Sequence, residues 1–343
     1  MKNILSKVRK NILNLAPYST ARDEYQGTFG IYLDANESPY ENGFNRYPDP
    51  YQKELKARVS EIKNIDERNI FIGNGSDEPI DLAYRVFCEP GVDNVVAIAP
   101  SYGMYKVAAE INNIECREVV LEEDFSLCAD KLLAKVDEQT KIIWLCSPNN
   151  PTGNSLCDNE ITKILDCFNG VVVIDEAYID FSSKSSYLSK LLCNENLIVL
   201  QTLSKAWGMA GLRLGLAFAS EAIVEIFTRV KYPYNINTLT QATVIKQLDV
   251  DIKPQIDEII AQREWLVERM QGIKMIEKIT PSDANFLLVK VKGATELYNE
   301  LIEAGVIVRD RSRVVGCADS LRISVGTPEE NKKLIQILEN ARS

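Results

Sequence analysis

The sequence of 343 residues contains no histidine. Without an imidazole the chain cannot form a Ser-His-Asp triad or a Cys-His nucleophile pair, and histidine can neither ligate zinc nor carry protons near neutral pH. Any acid–base chemistry must therefore fall to lysine, aspartate, glutamate, tyrosine or cysteine side chains. We predict no metal site.

Paired cysteine motifs and long apolar runs are also missing. The eight cysteines are scattered without a C-x-x-C pair, and several lie within apolar runs, so we expect reduced thiols in a cytoplasmic protein. No apolar stretch approaches the roughly 20 residues that cross a bilayer, and the N-terminus does not resemble a signal peptide. With 39 basic and 49 acidic residues, the composition argues against nucleic acid or an anionic membrane as a partner.

Apolar strand patterns alternate with helical patterns over most of the chain. Strands are predicted at residues 70–72, 95–98, 141–146, 171–175, 197–202 and 214–218, and helices at 51–63, 77–87, 129–136 and 158–168. Such alternation predicts an α/β fold with a mostly parallel central sheet flanked by helices.

The rhythm changes at about residue 239. A long helical region comes first, followed by strands predicted at residues 286–291, 306–308 and 321–324, a helix near 296–303 and a last helix after Pro328. We therefore predict an N-terminal arm over residues 1–30, a large domain over 31–238 and a smaller α+β domain over 239–343.

A lysine stands directly after one of the predicted strands. Lys205 lies in a turn rich in serine and glycine, and Arg213 follows eight residues later. A lone lysine in a loop is usually a solvated charge, but the carboxyl ends of parallel strands form the crevice in which α/β folds bind ligands. Ser204, Arg213 and the nearby Thr202 are of the types that bind phosphate, and lysine forms Schiff bases with aldehydes.

Polar residues end two neighbouring strands. Asp175 closes a continuously apolar strand and Tyr178 follows three residues later, while Asn150 lies in a turn after the strand at 141–146. An acid at a strand tip is often a helix cap or a metal ligand, and the turn alone is only a proline–glycine turn. Pyridoxal phosphate, however, requires an acid at its ring nitrogen and a donor at its phenolic oxygen.

A glycine-rich turn joins the first predicted strand to a helix. The backbone at Gly75, Ser76 and Asp77 is suited to an anion, although the segment is neither G-x-G-x-x-G nor a P-loop. Tyr102 follows another strand, where it could pack or stack on a planar ring. Arg322 lies within an apolar strand and Arg309 ends one; surface ion pairs are the alternative for both.

In this order and spacing, the motifs resemble the fold-type-I, aspartate-aminotransferase-like enzymes that depend on pyridoxal 5′-phosphate. The resemblance spans nearly the whole chain and rests on Asn150, Asp175, Tyr178, Lys205, Arg213 and Arg322. Within the family, residues 15–22, 33–39 and 45–50, with Arg309, resemble the histidinol-phosphate aminotransferases and in part the threonine-phosphate decarboxylases.

The resemblance implies a role for each matching residue. Lys205 would carry the cofactor as a Schiff base and move the proton, and Asp175 would pair with the ring nitrogen. Tyr178 and Asn150 would bond the phenolic oxygen, and Tyr102 would stack on the ring. The cofactor phosphate would be held by Gly75, Ser76, Asp77, Thr202, Ser204, Arg213 and, from the other subunit of a homodimer, Tyr47. The substrate would contact Tyr18, Asn36, Arg309 and Arg322.

The implied activity is an aminotransferase that takes a phosphorylated amino alcohol as donor and 2-oxoglutarate as acceptor, with glutamate as product. Three alternatives stay open on the sequence. One is a lyase of the same fold, such as a threonine-phosphate decarboxylase, and another is an aminotransferase for aromatic or other amino acids. The third is a regulatory protein that keeps the fold as a sensor, which the acidic composition disfavours.

Overall fold

The computed structural model describes residues 4–18 and 30–341. Its α-helices are α1 (Lys10–Leu13), α2 (Lys53–Lys63), α3 (Asp77–Phe87), α4 (Met104–Ile111), α5 (Ala129–Leu133), α6 (Asp158–Cys167), α7 (Glu221–Val230), α8 (Thr238–Gln247), α9 (Lys253–Met270), α10 (Ala294–Glu303) and α11 (Pro328–Asn340). Short 3₁₀ helices cover Ile4–Lys7, Glu67–Asn69, Ile179–Phe181, Tyr187–Cys193 and Ala210–Leu212. No helix in these ranges is both long enough and apolar enough to cross a membrane.

The strands of the described ranges form two sheets. They are β1 (Ile70–Asn74), β2 (Asn94–Ala99), β3 (Glu115–Val120), β4 (Thr140–Cys146), β5 (Val171–Asp175), β6 (Leu197–Thr202), β7 (Leu214–Ala219), β8 (Ile276–Ile279), β9 (Phe286–Val291), β10 (Arg309–Asp310) and β11 (Ser320–Ser324). The larger sheet has the order β1-β7-β6-β5-β4-β2-β3, and the smaller has the order β10-β11-β9-β8. The smaller sheet is antiparallel throughout.

One strand of the larger sheet runs against the others. β7 pairs antiparallel with β1 and β6, whereas the remaining neighbours pair in parallel. The start of β7 therefore lies at the edge where the parallel strands end. Arg213, which immediately precedes β7, is brought by this reversal to the same edge as Asp175 at the end of β5 and Lys205 beyond β6.

Both faces of the larger sheet are covered, which explains its continuously apolar strands. Along β5, Val172 and Ile174 pack in the core on one face with α2, α5, α6 and α8, whereas Val171 and Val173 pack on the other with α3, α4 and α7. With both faces occupied by helices, the carboxyl edge of the sheet is left open for ligands.

The predicted α/β fold is confirmed. The strands predicted at 171–175, 197–202 and 286–291 have the bounds of β5, β6 and β9, and the helix predicted at 77–87 is α3. The strand predicted at 306–308 is wrong. Pairing with β11 begins at Arg309, and Val306 to Val308 precede the paired residues. β3 and α4 were not predicted.

The predicted domain boundary falls at the start of α8. That helix packs on α2, and its Val244 belongs to the core of the larger sheet, whereas Leu266 and Met270 of α9 belong to the core of the smaller sheet. The structure thus places α8 with the larger sheet, and the division into domains stays a prediction. Residues 19–29 of the predicted arm lie outside the described ranges.

Candidate active site

A cavity of about 130 Å³ lies at the carboxyl edge of the larger sheet. It is lined by Gly75, Ser76, Asp77, Tyr102, Cys146, Asn150, Asp175, Ala177, Tyr178, Thr202, Ser204, Lys205, Ala210 and Arg213. The strands β1, β2, β4, β5 and β6 end here and β7 begins here. The fold therefore brings together every predicted cofactor residue except Tyr47.

Two glycines shape one end of the cavity. Gly75 has φ +70°, and its N–H donates to the carbonyl oxygen of Arg213 at 2.8 Å. A Cβ on Gly75 would lie 2.7 Å from Arg213 Nη2, and a Cβ on Gly215 would lie 2.2 Å from the amide nitrogen of Ser76. The backbones of the turn before α3 and of the turn before β7 are therefore in direct contact. Only glycine permits this approach, because a Cβ at either position would overlap with the other segment.

Lys205 enters the cavity from a tight turn after β6. The turn is closed by the N–H of Gly208, which donates to the carbonyl oxygen of Lys205 at 3.1 Å. Burial is the largest cause that lowers the pKa of Lys205, followed by the positive charge of Arg322, while Asp175 acts in the opposite direction. Its side chain is exposed to the open cavity, and partial burial together with the neighbouring positive charges favours the neutral amine more than water does.

Asp175 is buried at the floor of the cavity with 3% of its surface exposed. Burial raises the pKa of its carboxyl group, and two donors act in the opposite direction. The Tyr105 hydroxyl donates to Oδ2 at 2.7 Å, and the Ala177 N–H donates to Oδ1 at 3.0 Å. These two neutral donors do not balance the negative charge of the buried carboxylate. A cation that binds beside Asp175 would balance it.

We expect Tyr105→Phe to move the acid limb of the pH–kcat/KM profile upward by about one pH unit. The Tyr105 hydroxyl stabilises the ionised form of Asp175, so its removal raises the pKa of that carboxyl further. The carboxylate is then lost at a higher pH as the solution is acidified. Steady-state kinetics between pH 5 and 9 measure the shift.

Tyr84→Phe is the matched control for this experiment. Tyr84 is equally buried, stacks on the same Trp144 ring as Tyr105, and donates its hydroxyl to the backbone oxygen of Tyr105 at 2.6 Å. It has no bond to Asp175. Equal shifts in both variants would contradict a specific role for the Tyr105 hydroxyl.

A chain of hydrogen bonds links the cavity to the smaller sheet. Arg322 of β11 donates to Asn150 Oδ1 at 2.5 Å, and Asn150 Nδ2 donates to the Tyr178 hydroxyl at 3.4 Å. The Arg322 guanidinium lies 5.4 Å from the centre of the Phe286 ring. Arg309 is paired directly opposite Arg322 in the sheet. The two predicted substrate arginines therefore lie side by side in the smaller sheet, and Arg322 contacts the cavity-lining residue Asn150.

Tyr47, Tyr18 and Asn36 do not line the cavity. Tyr47 is half exposed and stacks on Tyr234 with ring centres 4.4 Å apart, and Asn36 lies with it along a separate surface cleft. Tyr18 is 71% exposed and borders another cleft, near Lys231. Their predicted contacts with cofactor or substrate stay predictions.

Two residues near the cavity, Tyr105 and Arg311, are not predicted from the sequence. Tyr105 lies within α4, where a tyrosine has the pattern of a packing residue, and only the fold reveals its bond to Asp175. Arg311 follows Arg309 by two residues and therefore shares its face of the strand. That spacing was visible in the sequence, but the strand had been placed at 306–308.

The residues fit pyridoxal phosphate. At one end, the N–H groups of the first turn of α3 have no partner within the helix, and the absent Cβ of Gly75 leaves room in front of Arg213 for an anion. At the other end, the buried Asp175 suits a protonated ring nitrogen. Lys205 lies in the wall between them, where an aldehyde carbon could reach it. The role of each residue stays a prediction.

Comparisons with known proteins identify the family. The family model of class I and II aminotransferases matches residues 25–338. A histidinol-phosphate aminotransferase of Parabacteroides distasonis is 52% identical over 344 positions that cover 100% of both chains.

Solved structures share the fold. The histidinol-phosphate aminotransferase from Clostridium acetobutylicum matches with a TM-score of 0.80 at 22% identity, over 87% of this chain and 90% of that one. The enzyme of the same name from Sinorhizobium meliloti, in complex with pyridoxal 5′-phosphate, matches with a TM-score of 0.79 at 21% identity, over 86% and 82%.

Proposed function

The chain belongs to the class I and II aminotransferases, and from this premise we propose that its amino donor is histidinol phosphate. The predicted membership of the aspartate-aminotransferase-like family, the transaminase activity and the cofactor, pyridoxal 5′-phosphate, are thereby confirmed. The observation that carries the choice of donor is the 52% identity, over the full length, to an enzyme of that name. The pathway would be histidine biosynthesis, in the cytoplasm, where the eight free cysteines would stay reduced.

Pyridoxal phosphate, when bound, supplies a carbonyl carbon for the donor's amino group and a ring that accepts an electron pair. The chain's own residues set its position. The turn at Gly75 to Asp77 and Arg213 would hold the phosphate, while Asp175 would keep the ring nitrogen protonated. Tyr178, oriented by Asn150, would donate to the phenolic oxygen.

Lys205 Nζ would move the proton. It is the base within the cavity whose pKa is lowered by burial and by neighbouring arginines, and the chain offers no imidazole for the task. The amine would take the proton from the donor's amino-bearing carbon and deliver it to the cofactor carbon that had been the aldehyde, on the side facing Lys205. Arg322 contributes twice, because its charge lowers the Lys205 pKa and its guanidinium is available to a substrate anion.

A substrate panel tests the donor. The purified holoenzyme is offered histidinol phosphate, phosphothreonine, phenylalanine and aspartate, each with and without 2-oxoglutarate. We expect the largest kcat/KM for histidinol phosphate, with turnover only when 2-oxoglutarate is present. Carbon dioxide release from phosphothreonine without 2-oxoglutarate would instead identify a lyase, and preference for phenylalanine would indicate an aromatic aminotransferase.

We further propose that the protein is a homodimer whose active sites are completed across the interface. Large apolar side chains are exposed along residues 31–47 and again near 239, including Ile31 (89%), Leu33 (85%), Phe44 (67%) and Leu239 (60%). Exposed apolar side chains of this size favour association. Tyr47 lies among these residues and outside its own chain's cavity, which suits a contact with the partner's cofactor phosphate.

Mixing two inactive variants tests the shared site. Lys205→Ala and Tyr47→Ala are each expected to have little activity alone. After unfolding and refolding together, half of the dimers are hybrids with one intact site, so about a quarter of wild-type activity should return. A monomer in light scattering, or no gain on mixing, would contradict the proposal.

A further inference from the structure

Three arginines line one face of the smaller sheet. Arg309 pairs directly opposite Arg322, and Arg311 extends the ladder, because its N–H donates to the carbonyl oxygen of Ser320 at 2.8 Å. Alternate residues of a strand share a face, as do residues directly opposite each other in a ladder. Arg309, Arg311 and Arg322 therefore present their side chains to the same side.

The described residues provide no carboxylate counter-ion for this cluster. In the described part of the chain, none of the three arginines forms an ion pair with a carboxylate. The adjacent Asp310 lies on the opposite face of the strand, and its Oδ1 accepts the backbone N–H of Ser312 at 2.8 Å. Three neighbouring positive charges without an acid are costly unless an anion joins them.

Arg311 is the member with an unused donor. Its Nε–H is buried and, among the described residues, has no hydrogen-bond partner. Burial lowers the pKa of Arg311, and the charges of Arg322 and then Arg309 lower it further, whereas Tyr178 acts in the opposite direction. By contrast, Arg322 already donates to Asn150. A partly buried guanidinium with a free Nε–H beside other guanidinium groups suits a tetrahedral oxyanion.

We propose that Arg311 is a substrate-binding residue that binds the phosphate of the amino donor and makes the enzyme selective for phosphorylated donors. This inference rests on the proposed function. Arg311 and Arg309 would together bind the phosphate dianion. Arg322 would then be available to bind a carboxylate, which carries the smaller charge. The segment after Arg311 forms a turn in which the N–H of Val314 donates to the carbonyl oxygen of Arg311 at 2.8 Å.

Four proteins test the role of Arg311: the wild type and the variants Arg311→Gln, Arg311→Lys and Arg313→Gln. Arg313 lies two residues further on and is exposed, so Arg313→Gln removes the same charge from the same loop without touching the cluster. We measure KM for histidinol phosphate, KM for glutamate, and the inhibition constant of inorganic phosphate in the glutamate half-reaction. Thermal unfolding confirms that each variant is folded.

Arg311→Gln should raise KM for histidinol phosphate and the inhibition constant of inorganic phosphate by about 10- to 100-fold. KM for glutamate should change by less than about 3-fold, and Arg313→Gln should change every constant by less than about 2-fold, as for an exposed charge. Arg311→Lys keeps the charge without the Nε–H and should lie between the wild type and Arg311→Gln.

Equal weakening of glutamate and histidinol phosphate in Arg311→Gln would overturn the inference, as would constants equal to those of Arg313→Gln. Failure of the proposed donor can be distinguished from failure of the Arg311 inference. If the wild type did not use histidinol phosphate, the inhibition constants of inorganic phosphate would still decide whether Arg311 binds a phosphate group.

Discussion

Replacing Lys205 with alanine is expected to lower kcat/KM for every amino donor by at least about 10⁴-fold. The variant loses both the amine that would hold the cofactor covalently and the base that would move the proton. Among the described residues no other lysine lines the cavity, so none of these neighbours can substitute. Stopped-flow and steady-state assays measure the loss, and thermal unfolding shows whether the variant is folded.

Chemical trapping gives an independent measurement. Reduction of the holoenzyme with borohydride should add the mass of the reduced cofactor to the peptide that contains Lys205. Lys231 and Lys56 are the informative controls, because burial lowers the pKa of each, to about 8 for Lys231. Lys231 donates to three backbone oxygens and lies outside the cavity. A label on either control would refute the assignment.

Replacing Asp175 with asparagine is expected to lower kcat by about 10²- to 10³-fold. The substitution keeps the size of the side chain but removes the negative charge that would hold a proton on the ring nitrogen. It also turns an amide N–H₂ towards one of the two donors, Tyr105 or Ala177, that the carboxylate satisfies. Steady-state kinetics at saturating donor and acceptor measure the effect.

Glu176→Gln controls for the loss of a buried carboxylate. Glu176 is 1% exposed, burial raises its pKa as it does for Asp175, and it accepts bonds from Ser186, Tyr187 and Gln201. As the next residue it lies on the other side of the chain and does not line the cavity. We expect Glu176→Gln to lower stability but not kcat. The assignment fails if Asp175→Asn keeps more than about a tenth of wild-type kcat.

The residues at the carboxyl edge of the sheet could be predicted, because each functional residue directly follows or ends an apolar strand in the sequence. Asp175 ends an apolar run and Lys205 follows another, and parallel strands bring their ends together. The position of Arg213 required more, since it depends on the reversal of β7. Its strand was predicted, but an apolar strand buried on both faces has the same pattern in either direction.

Elements whose sequences lack a run of buried apolar residues were not predicted. β3 is an edge strand with alternating charges and only one buried residue, Val119, so nothing in its sequence marks it as part of the sheet. Arg309 begins a strand only two residues long, Arg309–Asp310, and Arg311 follows it directly; this strand is held by its pairing with β11 and not by its own propensity. Tyr105 is missed for a different reason, since its partner lies 70 residues away.

The contact between the glycine turns also bears on how the protein meets its cofactor. Because Gly75 and Gly215 leave no space between the two backbones, the turn proposed to bind the cofactor phosphate and the Arg213 turn form one unit that is held by the sheet. Such a site loses little conformational entropy on binding, since the loops that contact the phosphate need not be ordered first. The phosphate contacts would then contribute nearly their full strength to cofactor affinity, and any side chain on either glycine would weaken both turns together.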